Sequence, residues 1–158
     1  MSVPLLRVVA RLAELGLTLP PVVPPVAAYV PAVRTGNLVF TSGQLPMVDG
    51  QLAGVGKVGA LVTAEQAKVL ARLCALNALA AIDALVGLDS VVRVVKVVGF
   101  VASTPDFTGQ PGVVNGASQL LGEVFGEAGQ HARSAVGVAS LPLDAPVEIE
   151  LVVEVGAG

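Results

Sequence analysis

Apolar residues recur at helical spacing over the first fifteen residues, where Leu5, Val8, Val9, Leu12 and Leu15 share a face and Gly16 stands where a helix would end. From 20 to 31 prolines dominate. Their fixed φ and missing amide donors predict an extended, semi-rigid connector rather than a flexible linker. Leu38-Val-Phe-Thr-Ser42 has strand composition between Gly36-Asn37 and Gly43 and is expected to have a hairpin partner, while Pro46 to Gly59 is glycine-rich and reads as a loop.

Thr63-Ala-Glu-Gln66 is a capping-box pattern that opens a helix able to run to Val86 before Gly87. Glu65, Lys68, Arg72 and Asp83 fall near one face of it, and Leu70, Leu73, Ala78 and Ile82 occupy the others, so most of this helix should be covered. Val91 to Ala102 is β-branched almost throughout, as a central strand would be. A second long helix is predicted from Val113 to Ala128, because Val113, Ala117, Leu120, Leu121 and Val124 repeat at helical intervals and Gly129 closes the segment. Two strands end the chain, Arg133–Ser140 and Val147–Val155, around the turn Leu141-Pro-Leu-Asp-Ala-Pro146. In the last, Val147, Ile149, Leu151, Val153 and Val155 alternate with Glu148, Glu150 and Glu154.

This order predicts a single α+β domain over 1–158, with a helical and proline-rich extension over 1–26, and a mixed sheet covered on one face by two long helices. The second sheet face is then left without cover. Composition sharpens the point: the 158 residues are 54% hydrophobic and 13% charged, with net charge −3 and mean hydropathy +0.80. So apolar a chain would leave much hydrophobic area facing water as a monomer, so a homo-oligomer joined through that face is expected.

A membrane span at Leu15–Val33 is rejected because Pro20, Pro21, Pro24, Pro25 and Pro31 would break a helix where freed carbonyls cannot be hydrated. Arg7, Arg11 and Glu14 interrupt any export signal, and a cytosolic protein is the expectation. Cys74, the one cysteine, can form no internal disulfide and reads as a buried, inert thiol in an Ala/Leu helix. With one Cys and one His, a metal site built on those residues is excluded by count. Nucleic acid is disfavoured, since the nine basic residues are scattered and one Tyr, four Phe and no Trp offer little to stack upon.

Among candidate motifs, Gly54-Val-Gly-Lys-Val-Gly59 matches a dinucleotide fingerprint, but the helix begins only at Thr63, and Lys57 is not followed by Ser or Thr as a phosphate loop requires. A mobile loop is the better reading. His131, lone and close to Ser134, has no third group to complete a nucleophilic relay and reads as a surface or interface residue. Arg133 opens a strand of small neighbours, where its planar fork would suit a carboxylate, or it pairs with a Glu at an interface. Glu148 and Glu150 lie on one strand face, solvated by default. If the last two strands form a hairpin, Glu148 lies ~20 Å along it from Arg133, and a site using both has to be assembled from two subunits.

Gly36-Asn-Leu-Val-Phe-Thr-Ser-Gly-Gln-Leu-Pro46, Phe100-Val-Ala with Asn115 downstream, Ala132-Arg-Ser-Ala-Val-Gly-Val-Ala-Ser-Leu-Pro142 and Val147-Glu-Ile-Glu150 resemble the Rid/YjgF family, also labelled endoribonuclease L-PSP or translation-initiation inhibitor. The resemblance covers about residues 27 to 155. It implies a chorismate-mutase-like fold and a homotrimer with ligand clefts between subunits. The implied activity is cofactor-independent hydrolysis of enamines and imines such as 2-aminoacrylate to 2-keto acids and ammonia. By the same resemblance, Arg133 binds the substrate carboxylate beside Ser42 and the Gly43 backbone. Tyr29 lines the cleft, Asn115 matches the family's asparagine and Glu148 holds the attacking water. Ala135 stands where many members have Cys, leaving only backbone groups to offer, and His131 stands where the archetype has Pro. The longer N-terminus and extra residues around Ser103–Gly112 place the chain with a longer subgroup. A non-catalytic trimer that binds a small carboxylate is the alternative; RNA cleavage is the third reading, opposed by the acidic balance.

Overall fold

The structure, a computed structural model, describes residues 7–156. Helix α1 (Arg7–Glu14) is followed by β1 (Ala32–Thr35), β2 (Leu38–Thr41), the short strands β3 (Met47–Val48) and β4 (Gln51–Leu52), and helix α2 (Ala64–Val86). Then come β5 (Val91–Ala102), α3 (Gln110–Phe125), β6 (Ala132–Val138) and β7 (Val147–Val155). A five-stranded mixed sheet in the order β1-β2-β7-β5-β6 carries α2 and α3 on one face, the α+β architecture expected.

Local chemistry accounts for the elements. Thr63 caps α2 as a complete capping box, its Oγ1 accepting from the Gln66 amide at 3.1 Å and its own amide donating to Gln66 Oε1 at 2.9 Å. Helix α2 is long and apolar enough to cross a membrane, but most of that apolar surface is buried inside the fold. Helix α3 starts at Gln110 rather than Val113, because Pro111 is tolerated in a first turn where its missing amide has no partner to lose. It stops at Phe125, and Gly126–Gly129 continues as a 3-10 turn.

Strand β5 is central as predicted, pairing parallel with β6 and antiparallel with β7. The hairpin expected between the last two strands does not form. The β5–α3–β6 connection lays β6 parallel against one edge of β5, so the chain must cross the end of β5 to reach its other edge, where β7 pairs. Four further expectations are corrected. The glycine-rich loop contains the β3–β4 hairpin, because Asp49 (φ 51°) and Gly50 (φ 81°) make a turn whose twist suits two strands. In α1, Leu12 is buried but Val9 is 50% exposed, and Leu5 lies outside the described residues. Strand β6 ends at Val138, not Ser140. The proline-rich segment is not a mere extended connector: it bends at 26–29, where the Tyr29 amide donates to the Ala27 carbonyl at 2.9 Å, and Val23 packs on Leu45, Met47 and Ala145.

The core lies between the sheet and the two helices, with Val97, Val101, Ile149, Leu151 and Val153 facing Leu79, Ile82, Leu120 and Leu121. Gly116 lets α2 and α3 approach closely; a Cβ there would strike the Lys68 carbonyl. Among the described residues no helix covers the opposite sheet face. Phe40 pairs with Val33 and Val152, and Val136 and Glu148 flank Phe100, and of these Val33, Phe40 and Val136 are exposed.

Candidate functional site

The candidate residues fall into two groups. The first surrounds Glu148. The β2–β7 ladder runs from Leu38 to Phe40, which faces Val152, and resumes at Gln44, which faces Ile149. Four steps on one strand therefore oppose three on the other, a bulge at Thr41–Gly43. Thr41 Oγ1 accepts the Leu151 amide at 2.9 Å in place of the ladder. The Ser42 amide turns instead to the Pro31 carbonyl at 2.8 Å, and Ser42 Oγ donates to the Val30 carbonyl at 2.5 Å. These bonds hold the proline-rich segment across the bulge and make a cleft, lined by Pro25, Val26, Tyr29, Gly43, Gln44 and Glu148.

Gly43 is a requirement of this cleft: a Cβ there would fall on the Glu148 carboxylate, its Cδ only 2.7 Å away. The Tyr29 hydroxyl accepts the Val26 amide at 3.3 Å, which closes the segment on itself. Glu148 is half-buried on the open sheet face; burial first, and the neighbouring Glu150 charge second, raise its carboxyl above the usual range. Beneath the cleft Asn77, fully buried on α2, donates through Nδ2 to the carbonyls of Leu45 and Met47, each at 3.1 Å. Burial, and then the charge of Glu148, push the Cys74 thiol up, which fits an inert core residue.

The second group surrounds Arg133. Its side chain points to α3 rather than into open space: Nη1 donates to Asn115 Oδ1 at 2.7 Å and to Ser118 Oγ at 3.2 Å, and Nη2 to the Pro111 carbonyl at 3.3 Å. No Glu pairs with it among the described residues, where the ion pairs are Arg11–Glu14 and Arg72–Glu123. Ala135 is half-buried on the same face, opposite Gly99. His131, expected at the surface or at an interface, is half-buried and bonded to Ser118 Oγ at 2.8 Å and the Gly129 carbonyl at 2.6 Å.

The two groups do not meet within one chain. Arg133 is level with Val97, and Val97 with Leu151, so Glu148 lies three residues further along β7, with β5 between. That is roughly 10 Å along the strands and ~9.5 Å across them. The side chains also project from opposite sheet faces. Sequence reasoning did not single out Gln44, Asn77 or Ser118; the Ser-Gly-Gln motif contained the first, whereas the other two are polar residues on apolar helices, whose roles depend on a tertiary partner. Among the described residues no group of three or more His, Cys, Asp or Glu converges to hold a metal ion.

Comparison with known proteins gives a consistent result. Residues 21–155 match the family model described as endoribonuclease L-PSP. Protein TCP17 of Trypanosoma cruzi is 46% identical, over 94% of each chain. A RutC family protein of Haemophilus influenzae is 32% identical over 80% of this chain and 86% of its own. Among solved structures, a protein of unknown function from Agrobacterium tumefaciens is 48% identical with a TM-score of 0.88, covering 96% of this chain and 94% of the other. TdcF of E. coli, with bound serine, is 28% identical with a TM-score of 0.58, covering 87% and 93%.

Proposed function

The chain belongs to the endoribonuclease L-PSP family, the YjgF/RutC group, and on that premise we propose that it hydrolyses small enamines and imines of the 2-aminoacrylate type to 2-keto acids and ammonia. The observation that carries this reading is the state of Arg133: three neutral acceptors hold its guanidinium and no carboxylate lies beside it among the described residues. Its positive charge is left for an anionic ligand. Of five guanidinium N–H groups, two have no acceptor among the described residues, one on Nε and one on Nη2, the nitrogens that share one edge of the fork.

The chemistry follows from the second group. Protonation of the enamine carbon gives an iminium ion, whose carbon is already electrophilic. Water adds to that carbon, and Glu148 accepts one of its protons and passes it to nitrogen. The carbinolamine collapses to ketone and ammonia as its hydroxyl releases the remaining proton to solvent, balancing the one the enamine carbon took up from solvent. A carboxyl raised toward neutrality serves both transfers better than one of ordinary acidity. Because Arg133 and Glu148 project from opposite faces, a site using both takes them from different copies, and the uncovered apolar face supports a trimer with such clefts. Tyr29, Ser42 and Gly43 complete the Glu148 side, and Asn115 the Arg133 side. No cofactor is invoked.

The test is hydrolysis of 2-aminoacrylate, and of a bulkier imino acid, generated in situ, with Arg133→Ala and Glu148→Gln beside the wild type. Both variants should lose the acceleration, whereas only Arg133→Ala should lose affinity for a 2-keto acid. An unchanged rate in Glu148→Gln would show that its carboxylate does not handle the proton. The bound serine of TdcF favours a second reading, a carboxylate-binding protein without turnover; a folded wild type that binds a 2-keto acid but accelerates neither substrate would establish it.

A further inference from the structure

His131 takes part in none of the steps above, yet its ring is bonded at both nitrogens. The partners fix its tautomer. A carbonyl oxygen only accepts, so Nδ1 carries the proton donated to Gly129, and in the neutral imidazole Nε2 is left as the acceptor. Ser118 Oγ must then donate its single proton to Nε2, and with its lone pairs it receives the Arg133 Nη1 proton at 3.2 Å. Every bond runs one way, from Arg133 through Ser118 and His131 to the Gly129 carbonyl. Asn115 Oδ1 takes the other Nη1 proton, so the Nη1 end is wholly spent on the protein.

We propose that His131 and Ser118 are positioning residues for Arg133: the relay clamps the Nη1 end of the guanidinium against α3 and so turns the Nε/Nη2 edge toward the ligand carboxylate. This inference rests on the carboxylate-binding reading of Arg133. Without an acceptor at Nε2 the serine hydroxyl is free to rotate, its hold on Nη1 weakens, and the long arginine side chain regains rotamers that must be frozen again on binding. The effect belongs to ligand affinity rather than to the chemical step, which is assigned to Glu148 on the other sheet face. Gly129 has room for no other residue, since a Cβ there would strike the Leu121 carbonyl, and the carbonyl that anchors the relay is thereby held against α3.

The test combines calorimetric binding of 2-ketobutyrate, steady-state hydrolysis of 2-aminoacrylate and nitrogen–proton correlation of the imidazole. His131→Leu and Ser118→Ala should each raise Kd and KM by roughly five- to tenfold, the worth of about one hydrogen bond, with kcat within about twofold. His131→Gln, whose amide oxygen can accept from Ser118, should restore affinity to within about threefold of wild type. The wild-type spectrum should show the Nδ1–H tautomer. An Nε2–H tautomer would overturn the relay whether or not any variant folds. Unchanged affinity in His131→Leu, alongside loss in Arg133→Ala, would overturn it while leaving the carboxylate site standing. If Arg133→Ala itself bound as tightly as wild type, the carboxylate reading and the relay would fall together.

Discussion

At Gly43 the missing side chain is what admits a carboxylate to the cleft, and the consequence is measurable. Gly43→Ala should push Glu148 aside and lower kcat by roughly 10- to 100-fold, the usual cost of misplacing a reacting group by about an ångström. Affinity for a 2-keto acid, which the proposed function assigns to Arg133 on the opposite face, should hold; an undiminished kcat would mean that the carboxylate has no fixed place. Glu148 also bears on stability. Its folded-state carboxyl is raised above the unfolded value, so the protonated form is favoured by folding. The wild type therefore loses stability as pH rises through that raised value, and below the ordinary carboxylate range the penalty is absent. Glu148→Gln should be the more stable protein at neutral pH, and the two should converge in acid, as urea unfolding at both pH values would show. Arg133 stood out in the sequence as a charge among small residues, whereas Ser42 and Gly43 were singled out only by the family motif, since no periodic pattern marks a bulge. The bond between His131 and Ser118 was not legible, since nothing in a lone histidine reveals a serine on a helix that packs beside it.

At the scale of elements, the close crossing of α2 and α3 depends on Gly116, whereas Gly122 on the same helix has open space around it. Gly116→Ala should destabilise the fold by about 1–3 kcal/mol through overpacking. Gly122→Ala should be neutral or stabilising by up to ~1 kcal/mol, because alanine is the better helix former. Thermal unfolding of the pair checks the crossing; equal responses would refute it. Asn77 links the same helix to the cleft, and Asn77→Ala, which strands two buried carbonyls, should cost about 1–3 kcal/mol and loosen the Leu45–Met47 wall. The capping box, the central strand and the alternating last strand were all readable, because each is set by neighbours along the chain. The β3–β4 hairpin was readable in principle from Asp49-Gly50 but was hidden among glycines, and the bulge at Thr41–Gly43 left no periodic trace.

For the whole molecule, the decisive feature is a sheet with one face buried under two helices and the other bearing Val33, Phe40 and Val136 in the open. An apolar face of that kind is expected to be covered by further copies of the chain. Phe40→Asp combined with Val136→Asp should convert an oligomer into a 15.8 kDa species by sedimentation and abolish hydrolysis, since Arg133 and Glu148 would lose each other. A wild type that sediments at 15.8 kDa would refute a site shared between copies.

The chain by itself determined its layers: helical and alternating periodicities, caps and prolines are local, and burying their apolar faces leaves one economical arrangement, a mixed sheet under two helices. Tertiary structure alone decided that β7 lies inside the sheet and β6 at its edge, that the proline-rich segment walls a cleft, and that Arg133 and Glu148 face opposite ways. Those outcomes depend on which edge of β5 the chain reaches after α3, a choice governed by the handedness of the crossover and by packing between residues far apart in sequence.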